Sequence, residues 1–278
     1  MLGRSFLVRR LSPLGRVAVF AGFALVIGGG AKVVAKTRKH PSAQSPALAA
    51  AAVVQTRLIA SAAVSAPEVA PASCPADMVI VEGQHCTKVE QGCLRWLDDE
   101  KLPFARCGTY AKPARCVATR IAMHFCIDRY EYTPVGESLP ENGASFSGAS
   151  SVCTGLGKRL CTESEWNFAC EGEEMRPYPY GFTREPVCNQ DRQNLVHQTT
   201  GGQVLRDLRE PSNARPECVS PFGVFDMVGN LDEWVEDGMF LGGFYARSTT
   251  KGCDAQVSSH ALSYFDYSTG TRCCKGLE

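Results

Sequence analysis

The fourteen cysteines constrain this chain more than any other feature, because all of them lie at or after Cys74 in a sequence of 278 residues. Their number is even, and none of them shows the CxxC spacing that is typical of a zinc site. Disulfides persist in oxidising compartments and are rare in the cytosol. The sequence therefore predicts an exported, disulfide-stapled domain that is periplasmic, part of the cell envelope or secreted.

The N-terminal segment agrees with export. Four arginines precede an apolar run at residues 17–31. The run is about as long as the core of a signal peptide and falls short of the roughly 20 residues of a membrane-spanning helix. Two interpretations stay open for residues 1–40, a cleaved signal peptide and an uncleaved anchor with one transmembrane helix. Both place the rest of the chain outside the cytoplasm, and the second adds a membrane contact through this segment.

Composition divides the remainder of the chain. Residues 41–73 are rich in Ala, Pro, Ser and Val and lack aromatic residues, which indicates a flexible linker. Residues 74–278 form the predicted folded domain. Within it, residues 84–120 hold four cysteines and too few apolar residues for a core of their own, so they are interpreted as a stapled insert. The formal net charge of zero gives no indication of a nucleic-acid partner.

Local patterns predict an α+β domain with two helices and many short strands. A helix is expected at residues 147–156. A second helix begins at Thr162, where Thr162 and Glu165 have the spacing of a capping box, and Gly172 ends it. Strands are predicted at residues 78–81, 125–133, 241–245 and 270–274. Residues 222–230 are predicted to form a strand-turn segment, which residues 231–235 extend.

Three blocks of sequence resemble the formylglycine-generating enzyme family, also called sulfatase-modifying factors. They are GKRLCTESEW at residues 157–166, the segment at residues 222–234, and the Gly-Gly pair at 242–243 together with GTRC at 270–273. The resemblance covers most of residues 74–278 and leaves the insert out. It implies a disulfide-rich, loop-rich variant of the C-type-lectin-like fold.

The resemblance also implies two disulfides by position. In vertebrate-type members of the family, the cysteine of the first helix pairs with the one in the final strand, and the cysteine that ends the next helix pairs with one after the Gly-Gly strand. Carried over, this pairs Cys153 with Cys273 and Cys170 with Cys253. The pairing of the other ten cysteines stays open.

Calcium is a further implication of the resemblance. The family's ligands correspond to the side chains of Asp226 and Glu233 and to the backbone carbonyls of Gly229 and Leu231, and a second site would begin at Asn189. A turn that mixes carboxylates with free carbonyls suits an ion that takes six to eight oxygen ligands. The alternative is that Asp226 and Glu233 only cap and solvate a turn.

The family's catalytic cysteine pair is missing. It binds copper(I) through two thiolates, a soft ligand set that suits that ion. Here the first position holds Arg247 and the second falls near Gly252, with Cys253 already assigned to a disulfide. We therefore expect no catalytic residues of the usual type and no copper. Tyr245, Arg247 and Cys253 are the candidates to line the former substrate groove.

Three functions remain as hypotheses. The first is a non-catalytic binding or scaffolding module of the cell envelope that holds a peptide, a protein or a glycan in the former groove. The second is an oxygen-dependent oxidoreductase with a rearranged metal site, although the five histidines are scattered and lack the spacing of a metal site. The third is a purely structural secreted domain.

Overall fold

The computed structural model describes residues 73–247 and 250–277. All of them belong to the second of two compact units, Ser65–Glu278. The predicted signal segment and all but the last residue of the predicted linker lie outside the described residues. Within the described ranges, no helix has the length and apolar character that crossing a membrane requires.

The regular elements are short. The helices are α1 (Phe146–Gly155) and α2 (Glu163–Glu171), with one 3-10 turn at Gly252–Asp254. The first seven strands are β1 (Met78–Cys86), β2 (Val89–Glu90), β3 (Cys93–Trp96), β4 (Cys107–Tyr110), β5 (Arg115–Cys116), β6 (Arg120–Asp128) and β7 (Arg159–Leu160). The other seven are β8 (Val196–Thr199), β9 (Gly202–Leu205), β10 (Asp232–Trp234), β11 (Phe240–Leu241), β12 (Gln256–Val257), β13 (Thr269–Gly270) and β14 (Cys273–Gly276).

The first sheet has the strand order β1-β6-β14-β7. Its main ladder pairs β1 with β6 antiparallel, from Met78 opposite Asp128 to Cys86 opposite Arg120. The turn expected after residue 81 is wrong, because Gly83 stays in the ladder opposite Met123 and β1 runs on into the insert. Residues 130–133 also leave the sheet instead of prolonging its strand.

The second sheet has the order β12-β11-β10-β13, with β10 and β13 parallel and the other pairs antiparallel. Within the strand-turn segment expected at residues 222–230 and its extension to residue 235, the strand is confined to β10. Gly223, Asp226, Gly229 and Asn230 all have positive φ angles, which turn the chain and exclude a strand. The strand expected at residues 241–245 likewise ends at Leu241, because Gly242 and Gly243 have positive φ angles.

The chain passes from the second sheet to the first within two residues, Thr271 and Arg272, which separate β13 from β14. A single strand was expected over residues 270–274. The structure instead has two strands there, β13 and β14, which belong to different sheets. The break occurs because β13 pairs with β10, whereas Cys273 and Cys274 pair with Leu160 and Arg159 of β7. Arg272 is thereby placed between the sheets.

Seven disulfides use all fourteen cysteines. Two of them, Cys153–Cys273 and Cys170–Cys253, join the pairs that the resemblance implies. The insert is stapled within itself by two more, Cys86–Cys116 and Cys93–Cys107. The remaining three are Cys74–Cys126, Cys161–Cys274 and Cys188–Cys218.

The two largest of four apolar clusters make up most of the core. The larger one lies between the first sheet and α2 and includes Val81, Ile127, Trp166 and Phe168. The smaller one surrounds Trp234 and includes the Cys153–Cys273 disulfide that ties α1 to β14. Disulfides therefore cross both clusters and supplement the modest core that such short elements build.

The capping box at the start of α2 is confirmed. Thr162 Oγ1 accepts from the Glu165 N–H at 3.2 Å, and Glu165 Oε2 accepts from the Thr162 N–H at 2.9 Å. Arg159 donates to both Glu165 oxygens, at 2.7 and 2.6 Å. Gly172, with a φ of 66°, ends the helix as expected. The other helix begins at Phe146, one residue earlier than expected, behind the N-cap Ser145.

The Glu165 carboxylate should make stability depend on pH. Burial raises its pKa, but Arg159 and Thr162 outweigh burial and hold the pKa below its ordinary value. Its stabilisation is therefore present above the unfolded pKa of about 4.3 and is lost as pH falls through the folded pKa. We expect Glu165→Gln to lower the free energy of unfolding by about 1–2 kcal/mol at pH 7 and by clearly less at pH 3, measured by guanidinium unfolding.

Glu163→Gln is the matched control in the same helical turn. Burial and the neighbouring Asp237 raise the pKa of Glu163, so its ionised form does not stabilise the fold in the same way. We expect no comparable loss at neutral pH. An equal loss for Glu165→Gln at both pH values would contradict the role assigned to the Arg159 pair.

Candidate functional site

A buried ion pair joins the two sheets at the crossing between β13 and β14. Arg272 is completely buried, and its Nε lies 3.0 and 2.8 Å from the two carboxylate oxygens of Glu233 on β10. Its Nη2 donates to Glu233 Oε1 at 2.7 Å. Two further bonds reach the carbonyls of Asp128 and Phe225, at 3.0 and 2.8 Å. Trp166 Nε1 of α2 also donates to Glu233, at 2.6 Å, so the pair connects both sheets and the helix.

Two other buried carboxylates face this pair. Glu131 accepts from Asn230 Nδ2 at 2.5 Å and from the Leu231 N–H at 3.2 Å. Asp226 accepts from the Asn213 N–H at 3.0 Å. Burial raises the pKa of Glu131, and the charges of Asp226 and Glu233 raise it further. Burial likewise raises the pKa of Asp226 to about 6. Three acidic side chains thus surround one guanidinium.

The predicted calcium ligands converge only in part. Asp226 and Glu233 belong to one cluster, but both oxygens of Glu233 are bonded to Arg272. Asn189 is buried, and its Oδ1 accepts from Arg192 at 3.2 Å while its Nδ2 donates to Leu208 O and to Asn230 Oδ1. Among residues 73–247 and 250–277, no group of three or more acidic, histidine or cysteine side chains is arranged to hold a metal ion.

The two backbone ligands lie in the turn before β10. Gly229 packs directly against the backbone of Asn189, where any side chain would collide, and its N–H donates to Gly242 O at 3.1 Å. Leu231 is buried and donates to Glu131. Calcium therefore stays a prediction at this turn, and an ion there would have to share Glu233 with Arg272.

Arg247, which the resemblance places at the family's first catalytic cysteine, is bonded to the Asp232 carboxylate of β10. Its guanidinium also lies over the Phe244 ring, 5.7 Å from the centroid. Asp232 is completely buried, which raises its pKa to about 7 against the opposing charge of Arg247. Its Oδ2 has no hydrogen-bond partner in the part of the chain that the structure describes.

The three groove candidates do not lie together. Tyr245 is buried, with 1% of its surface exposed, and therefore does not line a groove. Cys253 is also buried and is bonded to Cys170. Arg247 alone faces a concavity, of about 450 Å³. We name this concavity the β12 groove, and its lining residues are Phe104, Arg247, Thr250, Lys251, Asp254, Ala255, Gln256 and Val257.

The insert supplies one wall of the β12 groove, which sequence reasoning missed. Phe104 lies in the loop between β3 and β4 and is 78% exposed. The hydroxyl of Tyr110 on β4 donates to the Thr250 carbonyl at 3.2 Å and ties the insert to the groove. A second concavity of about 380 Å³ adjoins it at Thr250, Lys251 and Asp254 and continues along the insert to Trp96. In the sequence, the signal for this loop is a single aromatic residue, Phe104, in a stretch rich in charged residues.

Comparison with known proteins identifies the domain. Residues 127–258 match the sulfatase-modifying factor enzyme 1-like domain. The chain contains a sulfatase-modifying factor domain. The match begins within β6 and ends at β12, so it includes α1, α2, the Arg272 partner Glu233 and most of the β12 groove, and it leaves out the insert.

Three relatives of this sulfatase-modifying factor domain carry different names. The chain is 34% identical over 99 residues to serine/threonine-protein kinase pkn1 of Chlamydia caviae, which is 35% of this chain and 14% of that protein. It is 33% identical over 98 residues to the formylglycine-generating enzyme of Bos taurus, 34% of this chain and 25% of the enzyme. It is 36% identical over 101 residues to inactive C-alpha-formylglycine-generating enzyme 2 of Bos taurus, 34% of this chain and 32% of that protein. The matched region therefore covers less than a third of the length of each of these relatives.

Among solved structures, CarF is similar to the sulfatase-modifying factor domain over 73% of this chain and 99% of CarF, with 17% sequence identity and a TM-score of 0.47. The domain itself is mostly sheet, with two α-helices and seven disulfides in the described residues. The C-type-lectin-like description of its fold stays a prediction.

Removing the buried guanidinium should destabilise the domain strongly. Arg272→Met would leave Glu233, Glu131 and Asp226 without their shared cation in a site closed to water. We expect the free energy of unfolding to fall by about 3–5 kcal/mol, measured by guanidinium unfolding at pH 7.

Arg176→Met is the matched control, because Arg176 pairs with the half-exposed Glu174 two residues away in sequence. Such pairs contribute about 0–1 kcal/mol. If the two variants lost similar stability, the buried ion pair would not be a main constraint of the fold.

Proposed function

We propose that this sulfatase-modifying factor domain is a non-catalytic binding module of the cell envelope that holds an extended peptide in the β12 groove. The observation that carries the proposal is the residue at the position where the resemblance implies the first catalytic cysteine. Arg247 stands there, bonded to Asp232, and all fourteen cysteines are in disulfides.

The chemistry that the family resemblance implies needs two thiolates for copper(I). Cys253, the cysteine nearest to the second catalytic position, is buried in a disulfide with Cys170 that ties the end of α2 to the Gly252–Asp254 turn. A disulfide sulfur is not a thiolate, and the thiolate is the metal ligand. The former catalytic position is therefore suited to binding rather than to oxidation.

A binding role agrees with the groove itself. Lys251 is exposed, and Arg247 retains donors beyond those used by Asp232, so the β12 groove offers two cations to a ligand. Phe104 offers an apolar wall. The disulfides indicate an oxidising compartment, which is where an envelope module would act. The names of the relatives include both a formylglycine-generating enzyme and an inactive one, so similarity by itself is compatible with loss of activity.

The proposal is tested by incubating the full chain with copper(I), oxygen and a peptide that contains the sulfatase-type Cys-x-Pro-x-Arg motif. We expect mass spectrometry to find the peptide unchanged under conditions in which the formylglycine-generating enzyme of Bos taurus converts it. The absence of two free thiolates is the physical reason. Formation of formylglycine by this chain would overturn the proposal and restore an oxidoreductase with a rearranged site.

We propose further that calcium binds at the turn before β10, with the side chains of Asp226 and Glu233 and the carbonyls of Gly229 and Leu231 as ligands, so that Glu233 is shared with Arg272. Three buried carboxylates near one guanidinium support a bound cation. We expect calcium at a hundredfold excess over its Kd to stabilise the full chain by about 2.7 kcal/mol relative to EDTA, measured by thermal unfolding.

Asp226→Gly should abolish the response to calcium. Glycine tolerates the φ of 58° at this position, so the variant removes the carboxylate with little backbone strain. Asp207→Gly, at a half-exposed carboxylate paired with Arg209, is the control that should keep the response. Identical unfolding of the unmodified chain in calcium and in EDTA would contradict the proposal.

A further inference from the structure

The β12 groove runs along the free edge of a sheet. Its lining includes four consecutive residues, Asp254 to Val257, and the last two of them are β12. β12 is the outermost strand of the second sheet and has β11 as its neighbour. The groove is therefore bounded on one side by a strand whose outer edge has no strand beside it among the described residues.

The register shows which backbone groups face outward. Gln256 lies opposite Leu241, and the Gly242 N–H donates to the Ala255 carbonyl at 3.1 Å. In an antiparallel ladder, hydrogen-bonded and non-hydrogen-bonded pairs alternate, so the Leu241–Gln256 pair is a non-hydrogen-bonded one. The N–H and C=O of Gln256 therefore point away from β11, toward the open edge, and Gln256 is exposed.

The outer edges of β1 and β13 are each covered at one position. On the free edge of β1, the Gln84 N–H donates to Glu173 Oε1 at 2.7 Å, so a side chain occupies the place of a further strand. On the far side of the second sheet, the Thr269 carbonyl of β13 accepts from the Ala144 N–H at 3.2 Å. The edge at Gln256 has no such cover in the described ranges, and proteins usually protect such edges because they recruit further strands.

The walls of the groove specify what would lie there. Arg247 and Lys251 provide positive charge, and Asp254 is the one carboxylate in the lining. Phe104, from the insert, and Val257 provide apolar surface, and most of the Phe104 side chain is in contact with water. This lining suits an occupant with one acidic group and one apolar side chain. A second acidic group would be repelled by Asp254.

We propose that an extended peptide adds to β12 as a fifth strand of the second sheet, which rests on the proposed binding function and names its ligand class. The peptide pairs its backbone with the N–H and C=O of Gln256, directs one acidic side chain to Lys251 and Arg247, and packs one apolar side chain on Phe104. Strand addition of this kind obtains affinity from backbone hydrogen bonds and specificity from pockets for alternate side chains.

The alternation of side chains makes the specificity testable. Successive side chains of a strand point to opposite faces, so the acidic and the apolar residue that enter one groove are an even number of positions apart. The insert thereby acts as a specificity element, because Phe104 comes from outside the matched family region at residues 127–258.

The experiment is selection from a phage-displayed library of random seven-residue peptides on the full chain, followed by fluorescence anisotropy with the selected peptides. We expect peptides with one acidic and one apolar residue at even spacing. Gln256→Pro removes the outward N–H without removing a bond to β11, and we expect it to raise Kd at least tenfold. Gln256→Ala keeps the backbone N–H, so we expect it to raise Kd far less than Gln256→Pro does.

Two side-chain variants complete the design. We expect Phe104→Ala and Lys251→Gln each to raise Kd by about fivefold or more, whereas Leu94→Ala, at an exposed apolar residue of the same insert that does not line the groove, should leave Kd unchanged. Thermal unfolding checks that each variant is folded.

The outcomes separate this inference from the function on which it rests. Selected peptides that bind Gln256→Pro and Gln256→Ala equally, or that ignore Phe104→Ala, would overturn strand addition and leave the binding module in place. Failure to select any peptide would overturn both the inference and the proposed binding of an extended peptide.

Discussion

The ion pair between Arg272 and Glu233 is the interaction on which the rest of this structure depends. Arg272 lies where the chain passes from one sheet to the other, and it reaches β10 through Glu233 and the end of β6 through the Asp128 carbonyl. Trp166 brings α2 to the same carboxylate. A buried charge is costly unless it is paired and hydrogen-bonded, so every group around the pair has to keep its place. Most strands have only two to four residues, so without the ion pair few contacts would fix how the two sheets pack together.

The same arrangement separates a rigid centre from a surface available for binding. The buried ion pair holds the sheets together, and the Cys170–Cys253 disulfide ties the end of α2 to the Gly252–Asp254 turn. Arg247 is bonded to Asp232 on the strand that also carries Glu233. The groove beside it combines a loop of the insert with the edge of the second sheet. Arg247 and Phe104, which are far apart in the sequence, therefore line the same concavity.

Local sequence signals correctly predicted the features that depend only on residues close together in the chain. The Thr162–Glu165 capping box and the Gly172 stop are satisfied within one turn or one residue of the helix, so a short stretch of sequence was enough. Strand ends were predicted poorly. Gly83 carries a turn signal but stays in a nine-residue ladder, because pairing with β6 outweighs the local preference. A turn was expected within residues 222–230, but the structure has positive φ angles at Gly223, Asp226, Gly229 and Asn230, so no strand forms before β10.

The sequence by itself determined that this domain is cross-linked by disulfides and that it resembles sulfatase-modifying factors, since both follow from residue identity and order. Tertiary structure alone decided that Tyr245 is buried, that Glu233 bonds to Arg272, and that Phe104 faces Lys251 across a groove. Those facts depend on contacts between residues far apart in the chain. Local sequence carries no record of which distant side chain will fill a position, because packing and charge pairing are settled only when the whole domain folds.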